Sequence, residues 1–77
     1  MGERVTIQLE VYVPFRGRRI WRGGEQVPAG TTVGTLLAAL AITEGDLAVL
    51  VGGRHAAPTT ILKGGEAVAI LRQSDGG

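Results

Sequence analysis

The sequence predicts an α+β fold in which a mixed sheet of four to five strands packs against a single helix. Three observations predict it: apolar and polar residues alternate along a long first segment, one short central segment has helical periodicity, and two later segments are short and strongly apolar. A helix with one apolar stripe must bury that stripe, and the aliphatic face of a sheet is the simplest surface that can cover it.

The first two strands are predicted to form a hairpin. Aliphatic side chains occupy every second position of Val5–Val13, which is typical of a strand with one buried face. Pro14 ends this strand because proline cannot donate to the hydrogen-bond ladder of a sheet. A second strand is predicted at Arg19–Val27, and we expect Gly23-Gly24 to interrupt it as a bulge or bend.

A short helix is predicted at Val33–Ala41. Thr32 is a favourable N-cap, because its hydroxyl can accept a hydrogen bond from the first helical turn. Four aliphatic residues have the i, i+3, i+4, i+7 spacing of one buried helical face: Val33, Leu36, Leu37 and Leu40. The helix therefore presents a narrow apolar stripe to the rest of the domain.

The remaining segments complete the sheet. A third strand, apolar on both faces, is predicted at Leu47–Val51, and a last strand at Glu66–Arg72. Gly52-Gly53 has the chemistry of a tight turn, and Thr59–Leu62 is expected to form one turn of α-helix or 3₁₀-helix. If the last strand pairs in parallel with the first, the arrangement is the β-grasp, or ubiquitin-like, fold, with residues 1–72 as the domain and residues 73–77 as a flexible tail.

The composition argues against several classes of function. A chain of 77 residues is one small domain without room for a deep cavity, so we expect no catalytic residues and no enzymatic activity of its own. Without cysteine and with one histidine, the chain has no disulfide, no predicted metal site and no predicted bound cofactor. No signal peptide or membrane span is evident, so we expect a cytoplasmic protein without a membrane partner.

The net charge of +1 does not indicate a nucleic-acid-binding protein. The charge is nevertheless uneven, because four arginines fall within seven residues: Arg16, Arg18, Arg19 and Arg22. Such a cluster can bind phosphates, but it is also typical of a solvated loop and edge strand. Its role stays open, although the lack of interleaved aromatic residues weighs against nucleic acid.

The sequence ends in Gly76-Gly77, and this ending is the strongest indication of function. Glycine has no Cβ, so a strip of this kind can enter a narrow channel and present its α-carboxylate to another protein. Fully extended, residues 73–77 would span up to about 17 Å. The alternative is a frayed terminus, which most domains have.

Three internal segments and the ending together resemble the ThiS/MoaD sulfur carriers. Residues 27–37 (VPAGTTVGTLL) are similar to the family's strand-turn-helix segment, and residues 50–54 (LVGGR) to its Val-Asn-Gly hairpin, with Gly52 in place of Asn. Residues 62–71 (LKGGEAVAIL) resemble its closing Leu-Lys-Asp-Gly-Asp-Glu-Val turn and strand, and Gly76-Gly77 resembles its obligatory ending.

The resemblance implies a carrier. An adenylating, E1-like partner enzyme would use ATP to activate the carboxylate of Gly77, the second residue of the Gly76-Gly77 ending. Sulfur transfer would then convert this carboxylate to a thiocarboxylate. A sulfur-accepting synthase would then use the sulfur for cofactor biosynthesis or tRNA thiolation. Activation is needed because an α-carboxyl is ionised at pH 7, and a carboxylate is a poor electrophile. The pathway stays open among thiamine thiazole, molybdopterin, tRNA thiolation and protein tagging.

A docking surface for the adenylating enzyme is expected on the sheet face that points away from the helix, with Ala48, Leu50, Ala69 and Leu71 as its predicted residues. Arg72, at the end of the same last strand, is also predicted to contact this partner. The alternative is a set of scattered surface aliphatics without a function. Three other functions stay open for the chain: a ubiquitin-like modifier that forms isopeptides with lysines, the small subunit of molybdopterin synthase, and a plain β-grasp interaction module.

Overall fold

The computed structural model describes residues 2–42 and 46–73 of the chain. Within these ranges the elements follow the order β-β-α-β-β-β. Their bounds are β1 Arg4–Val11, β2 Trp21–Pro28, α1 Val33–Ala39, β3 Leu47–Val51, β4 Arg54–His55 and β5 Ala67–Arg72. The four predicted long strands and the helix are present, with ends that differ by at most two residues, and the two-residue β4 is the fifth strand.

The strands form one mixed sheet in the order β2-β1-β5-β3-β4. β1 and β5 run parallel at its centre, with Val11 opposite Ile70, whereas the other neighbouring pairs are antiparallel. The predicted parallel pairing is confirmed, and the architecture is the β-grasp fold. Because β1 and β5 are parallel, the loop after β1 and the chain after β5 leave the sheet at the same end. We call this end the tail pole and the opposite end the far pole.

The core lies between α1 and one face of the sheet, which we call the inner face. Alternate side chains of β1 and β5 are at most 1% exposed there: Ile7, Leu9, Val68 and Ile70. Val33 and Leu36 of α1 belong to the same buried cluster. Successive strand residues point to opposite faces, so the side chains between these, such as Glu10 of β1 and Ala69 of β5, lie on the outer face, away from the helix.

Hydrogen bonds at both ends of α1 explain its length. The N–H of Thr35 donates to Thr32 Oγ1 at 3.2 Å, which confirms the predicted N-cap. At the other end Ala41 has a left-handed backbone (φ 57°), and the N–H of Ile42 donates back to the carbonyl of Leu37. The helix therefore stops at Ala39, two residues before the predicted end, because a left-handed cap closes it.

The predicted bulge at Gly23-Gly24 is wrong. Both glycines lie in regular antiparallel register, Gly23 opposite Leu9 and Gly24 opposite Gln8. Glycine is needed at position 23 for a different reason, since a Cβ built there would lie 2.9 Å from the nearest ring atom of Trp21. Gly23 therefore makes room for the indole and does not bend the strand.

The predicted turn of α-helix or 3₁₀-helix is also wrong, because neither is present at Thr59–Leu62. The N–H of Thr60 donates to the carbonyl of Ala57 to close a turn, and Ile61 then forms a β-bridge with Thr32. The first two N–H groups of α1 donate to carbonyls of this same segment. The carbonyls of Pro58 and Thr60 thus satisfy donors that a helix leaves without intrahelical partners at its start.

Candidate functional site

The end of β5 determines where the tail begins. β5 ends at Arg72, and the N–H of Gln73 donates to the carbonyl of Asp46 at 2.7 Å, just before β3. On the opposite side of β5, the N–H of Tyr12 donates to the carbonyl of Ile70 at 2.8 Å. Arg72 and Gln73, which we call the tail base, are therefore anchored at the tail pole between β1 and β3.

The predicted adenylation residues, Gly76 and Gly77, lie outside the described residues, and their role stays a prediction. The structure describes the platform from which that segment starts. If they were fully extended, residues 73–77 would reach up to about 17 Å from the end of β5. A partner that receives the last residue must therefore contact the tail pole.

Four of the predicted docking residues form two cross-strand pairs on the outer face. Ala48 lies opposite Leu71, and Leu50 lies opposite Ala69, in the antiparallel register of β3 and β5. Directly opposed residues on one sheet face are close neighbours, so the fold brings the four together as one docking patch. Ala48 is 7% exposed and adds little accessible surface, whereas the other three are partly exposed. The docking role of the patch stays a prediction.

Arg72 lies on the other side of the sheet. Because strand residues alternate between faces, Arg72 shares the inner side with Ile70, while Leu71 points outward. Its partner in the register is Leu47, at the first position of β3. Arg72 is exposed because the sheet ends at this point. It is placed to contact a partner that surrounds the tail base, but not one that covers the docking patch alone.

A polar cluster borders the docking patch on the outer face. The hydroxyl of Tyr12 donates to Glu10 Oε1 at 2.6 Å, and Arg22 Nε lies 3.8 Å from Glu10 Oε2. A hydrogen bond with Tyr12, and then the electrostatic influence of Tyr12 and Glu10, raise the pKa of Arg22 above its usual value. Glu10 lies beside Ala69 in the register of β1 and β5. Sequence analysis missed this cluster, because only the pairing of β1 with β2 brings Arg22 to Glu10.

The arginine cluster lies in the hairpin loop, residues 12–20, at the tail pole. Arg16 and Gly17 have positive φ angles of 52° and 76°, and they form a tight turn between Phe15 and Arg18. The backbone groups of Phe15 and Arg18 hydrogen-bond to each other in both directions, at 2.9 and 3.0 Å. The tip of the loop is therefore a short hairpin whose backbone is held by reciprocal hydrogen bonds.

Arg16 is exposed, but its guanidinium contacts three neighbouring side chains. Its guanidinium carbon lies 4.7 Å from the ring centre of Phe15 and 4.8 Å from that of Trp21, and its Nη2 lies 3.2 Å from Glu25 Oε2. The two rings pack edge to face, 5.8 Å apart at 87°. Arg16 therefore fastens the loop to β2 and is not a freely available cation.

A shallow cleft of about 460 Å³ separates the hairpin loop from the end of α1. It is lined by Pro14, Phe15, Arg16 and residues 39–42. Among its described lining residues the only ionisable group is Arg16, which is already engaged in an ion pair with Glu25. Across residues 2–42 and 46–73 no three His, Asp or Glu side chains are grouped as metal ligands would be. In the same ranges, no helix has the length and apolar character needed to cross a bilayer.

The β-grasp sheet, its single helix and a tail base next to an apolar outer face define a small ubiquitin-like protein. The chain belongs to the ThiS family, whose sequence model matches residues 18–77. The resemblance seen in the sequence is thereby confirmed. No curated protein was found that matches this chain in sequence.

Two solved structures share this fold. The crystal structure of H. volcanii small archaeal modifier protein 1 has a TM-score of 0.70 and 19% identity, and the match covers 91% of this chain and 99% of that one. The crystal structure of SAMP1 from Haloferax volcanii has a TM-score of 0.67 and 21% identity, with 94% and 99% covered. At such identities the similarity shows the fold.

Proposed function

We propose that this chain is a sulfur carrier whose Gly77 carboxylate is activated by an adenylating, E1-like enzyme and then converted to a thiocarboxylate. Membership of the ThiS family carries the proposal, because the matched region runs to residue 77 and so includes Gly76-Gly77. In this role the chain is the substrate of its partner enzyme and not itself a catalyst.

The proposed chemistry has two steps at Gly77. A carboxylate oxygen attacks the α-phosphate of ATP, which forms an acyl-adenylate and releases pyrophosphate. A sulfur nucleophile then attacks the acyl carbon, and AMP leaves with the electron pair of the C–O bond. With hydrosulfide as the nucleophile, this attack gives the thiocarboxylate directly. With a persulfide donor it gives an acyl disulfide, and a thiol then cleaves the S–S bond, which releases the thiocarboxylate and leaves a disulfide between the donor and that thiol. The thiocarboxylate then serves a sulfur-accepting synthase. The partner supplies ATP and the stabilising charges, and this chain supplies position.

β5 supports this role because it carries both parts of the proposed site. Ala69 and Leu71 point outward into the docking patch, and the same strand ends in the tail base two residues later. A partner that covers the patch is thereby placed beside the start of the tail. A partly exposed aliphatic patch suits such a contact, since the centres of protein interfaces are depleted in charge.

The proposal is tested by intact-mass measurement. The purified chain is incubated with the adenylating enzyme of the same genome, ATP, Mg²⁺ and a sulfur donor. We expect a mass increase that corresponds to replacement of one oxygen by sulfur. A chain without Gly77 is the control and should not react. An unmodified full-length chain, in a mixture that thiocarboxylates another carrier, would contradict the proposal. Because these reactants are cellular, the proposal places the protein in the cytoplasm.

A second candidate is a protein modifier, and the names of the two solved structures favour it. Lys63 is the sole lysine of the sequence, and it is exposed. Its loop is held by Glu66, whose carboxylate accepts the N–H groups of Lys63 at 2.8 Å and Gly64 at 2.7 Å. The N–H of Gly65 donates to the carbonyl of Thr6, near the start of β1, which places the loop at the far pole.

An isopeptide between Gly77 of one copy and Lys63 of another would therefore join opposite poles. The acyl-adenylate would react with the Lys63 amine, with loss of AMP and a proton. In cells, Lys63→Arg should abolish linked multimers of the chain while the thiocarboxylate still forms. Multimers that persist in this variant would contradict the assignment of Lys63 as acceptor.

The two remaining alternatives have their own tests. A small subunit of molybdopterin synthase would co-purify stably with a large molybdopterin-forming subunit. A plain interaction module would function unchanged in cells after deletion of Gly77. Neither outcome is expected for a free carrier.

A further inference from the structure

We infer that the hairpin loop docks on an acidic surface of the adenylating enzyme, beside the opening that receives the tail, through Arg18 and Arg19. This inference rests on the proposed function and adds to it the chemistry of the partner's surface. It also gives a role to the arginine cluster, which the carrier chemistry at the terminal glycine leaves unused.

The sheet topology brings the hairpin loop and the tail to one end of the domain. Because β1 and β5 are parallel neighbours, the hairpin loop and the tail base leave the sheet at the same pole. The last backbone contact between them joins Tyr12 to Ile70. Phe15 follows three residues later, so the tip of the loop lies within about 10 Å of this contact at roughly 3.3 Å per residue. A partner that encloses the tail therefore approaches the loop as well.

The hairpin loop also carries charge that remains available. Two of the clustered arginines are already paired, Arg16 with Glu25 and Arg22 with Glu10. Arg18 and Arg19 are exposed, and within residues 2–42 and 46–73 the side chain of neither forms an ion pair. Within the described part of the chain, two exposed cations without an ion pair thus lie at the same pole as the tail base. Charges in such a position steer an oppositely charged surface into the correct orientation.

The hairpin loop is also rigid. Reciprocal backbone hydrogen bonds close the turn at Phe15 and Arg18, and Arg16 ties the loop to Trp21 and Glu25. The backbone that carries Arg18 is therefore fixed before any partner arrives. A preorganised cationic loop loses less conformational entropy on docking than a flexible one would.

An acidic protein surface fits these observations better than nucleic acid does. Binding of single strands usually requires exposed aromatic faces on which bases can stack. Phe15 and Trp21 are only partly exposed, they pack against each other, and Arg16 lies over both rings. The chain as a whole carries a net charge of only +1. The loop therefore offers local charge without a stacking platform.

The test compares two double variants that change the charge equally. Arg18→Glu with Arg19→Glu alters the tail pole. Arg4→Glu with Arg54→Glu alters two exposed arginines at the far pole, one at the start of β1 and one just after the turn that follows β3. Pyrophosphate release by the adenylating enzyme of the same genome is measured against carrier concentration, at low and high salt. Circular dichroism verifies that each variant is folded.

We expect the tail-pole variant to raise KM about tenfold at low salt, with kcat nearly unchanged. The difference should shrink at high salt, because the Debye length falls from about 10 Å at 0.1 M to about 3 Å at 1 M. The far-pole variant should stay within about twofold of the wild type, since its charges lie away from the tail. A neutral pair, Arg18→Gln with Arg19→Gln, should give an intermediate KM and covers the case in which the acidic variant does not fold.

Equal KM values for the tail-pole and far-pole variants would overturn the inference, because net charge alone would then explain the effect. An unchanged KM would overturn it too. If a single-stranded RNA oligonucleotide binds the wild type but not the tail-pole variant, and KM is unaffected, the loop is a nucleic-acid site instead. If the wild type itself releases no pyrophosphate, the proposed function fails and this inference fails with it.

Discussion

Alanine at two adjacent glycines should change the stability of this domain in opposite directions. Gly23 and Gly24 lie in the same strand and in regular register. A Cβ at position 24 would lie 3.7 Å from Thr6 Cγ2, which is an ordinary contact. A Cβ at position 23 would lie 2.9, 3.3 and 3.4 Å from three ring atoms of Trp21. The same methyl group thus makes an ordinary contact in Gly24→Ala but overlaps the indole of Trp21 in Gly23→Ala.

The cost of Gly23→Ala follows from what surrounds the indole. Trp21 cannot move away freely, because Phe15 packs edge to face against it and Arg16 lies 4.8 Å from its ring centre. Overpacking costs typically about 1–3 kcal/mol, and loss of an aromatic pair about 0.5–1.5 kcal/mol. Because this ring is only half-buried and can partly relax, we expect a loss of about 1–2 kcal/mol. That loss corresponds to a fall in Tm of roughly 5–15 °C for a domain of this size.

Gly24→Ala should instead gain about 0.5 kcal/mol, because glycine in a strand loses more backbone entropy on folding than alanine does. Urea unfolding followed by circular dichroism measures both changes. Trp21 is the sole tryptophan, so its fluorescence reports directly on the displaced ring. A shifted emission is expected for Gly23→Ala and not for Gly24→Ala. Equal stabilities of the two variants, with unchanged emission, would refute the steric explanation of Gly23.

Three further predictions follow from other sites. Ala41→Gly should raise stability by about 0.5–1 kcal/mol in thermal unfolding, because Ala41 holds a left-handed φ of 57° that glycine adopts without strain; a loss of stability would contradict this. Burial opposes ionisation of Glu66, but the N–H groups and the lysine of its loop outweigh it and hold the pKa of Glu66 below its usual value of 4.5. Because its folded-state pKa is lowered, the ionised Glu66 carboxylate stabilises the fold above the usual pKa, and this stabilisation is lost as pH falls through the folded-state pKa. Glu66→Gln should therefore be about 1 kcal/mol less stable than the wild type at pH 7. Urea unfolding from pH 7 to pH 2.5 should show that gap close below about pH 4.5, and a pH-independent gap would contradict the assignment. Leu50→Glu on the docking patch should raise KM for adenylation about tenfold or more, whereas Ile61→Glu, at a side chain that is 54% exposed outside the patch, should not; equal effects would argue against docking there.

The candidate site was predictable from the sequence only in part. The two aliphatic pairs of the docking patch follow from strand alternation, and the structure places them opposite each other. The same alternation already separates Arg72 from Leu71, so its position on the inner side required no tertiary information. The cluster of Tyr12, Glu10 and Arg22 did require it, because Glu10 and Arg22 meet only through the register of β1 and β2.

Local patterns were sufficient where a segment's own periodicity decides its structure. The alternation of β1, the N-cap at Thr32 and the apolar stripe of α1 each depend on residues within a few positions of one another. The sequence alone thus determined the element order, the buried face of each long element and the resemblance to the ThiS family.

Only the tertiary structure decided which separate segments touch. The indole of Trp21 explains Gly23. The first two N–H groups of α1, which donate to the carbonyls of Pro58 and Thr60, explain why residues 57–61 form a turn and a β-bridge and not a helix. The parallel pairing of β1 with β5 places an arginine-bearing loop beside the tail base, although these segments are more than fifty residues apart in the chain. The physical reason is that contacts between distant segments depend on strand order and register, which are selected by packing of the whole core and not by any local pattern.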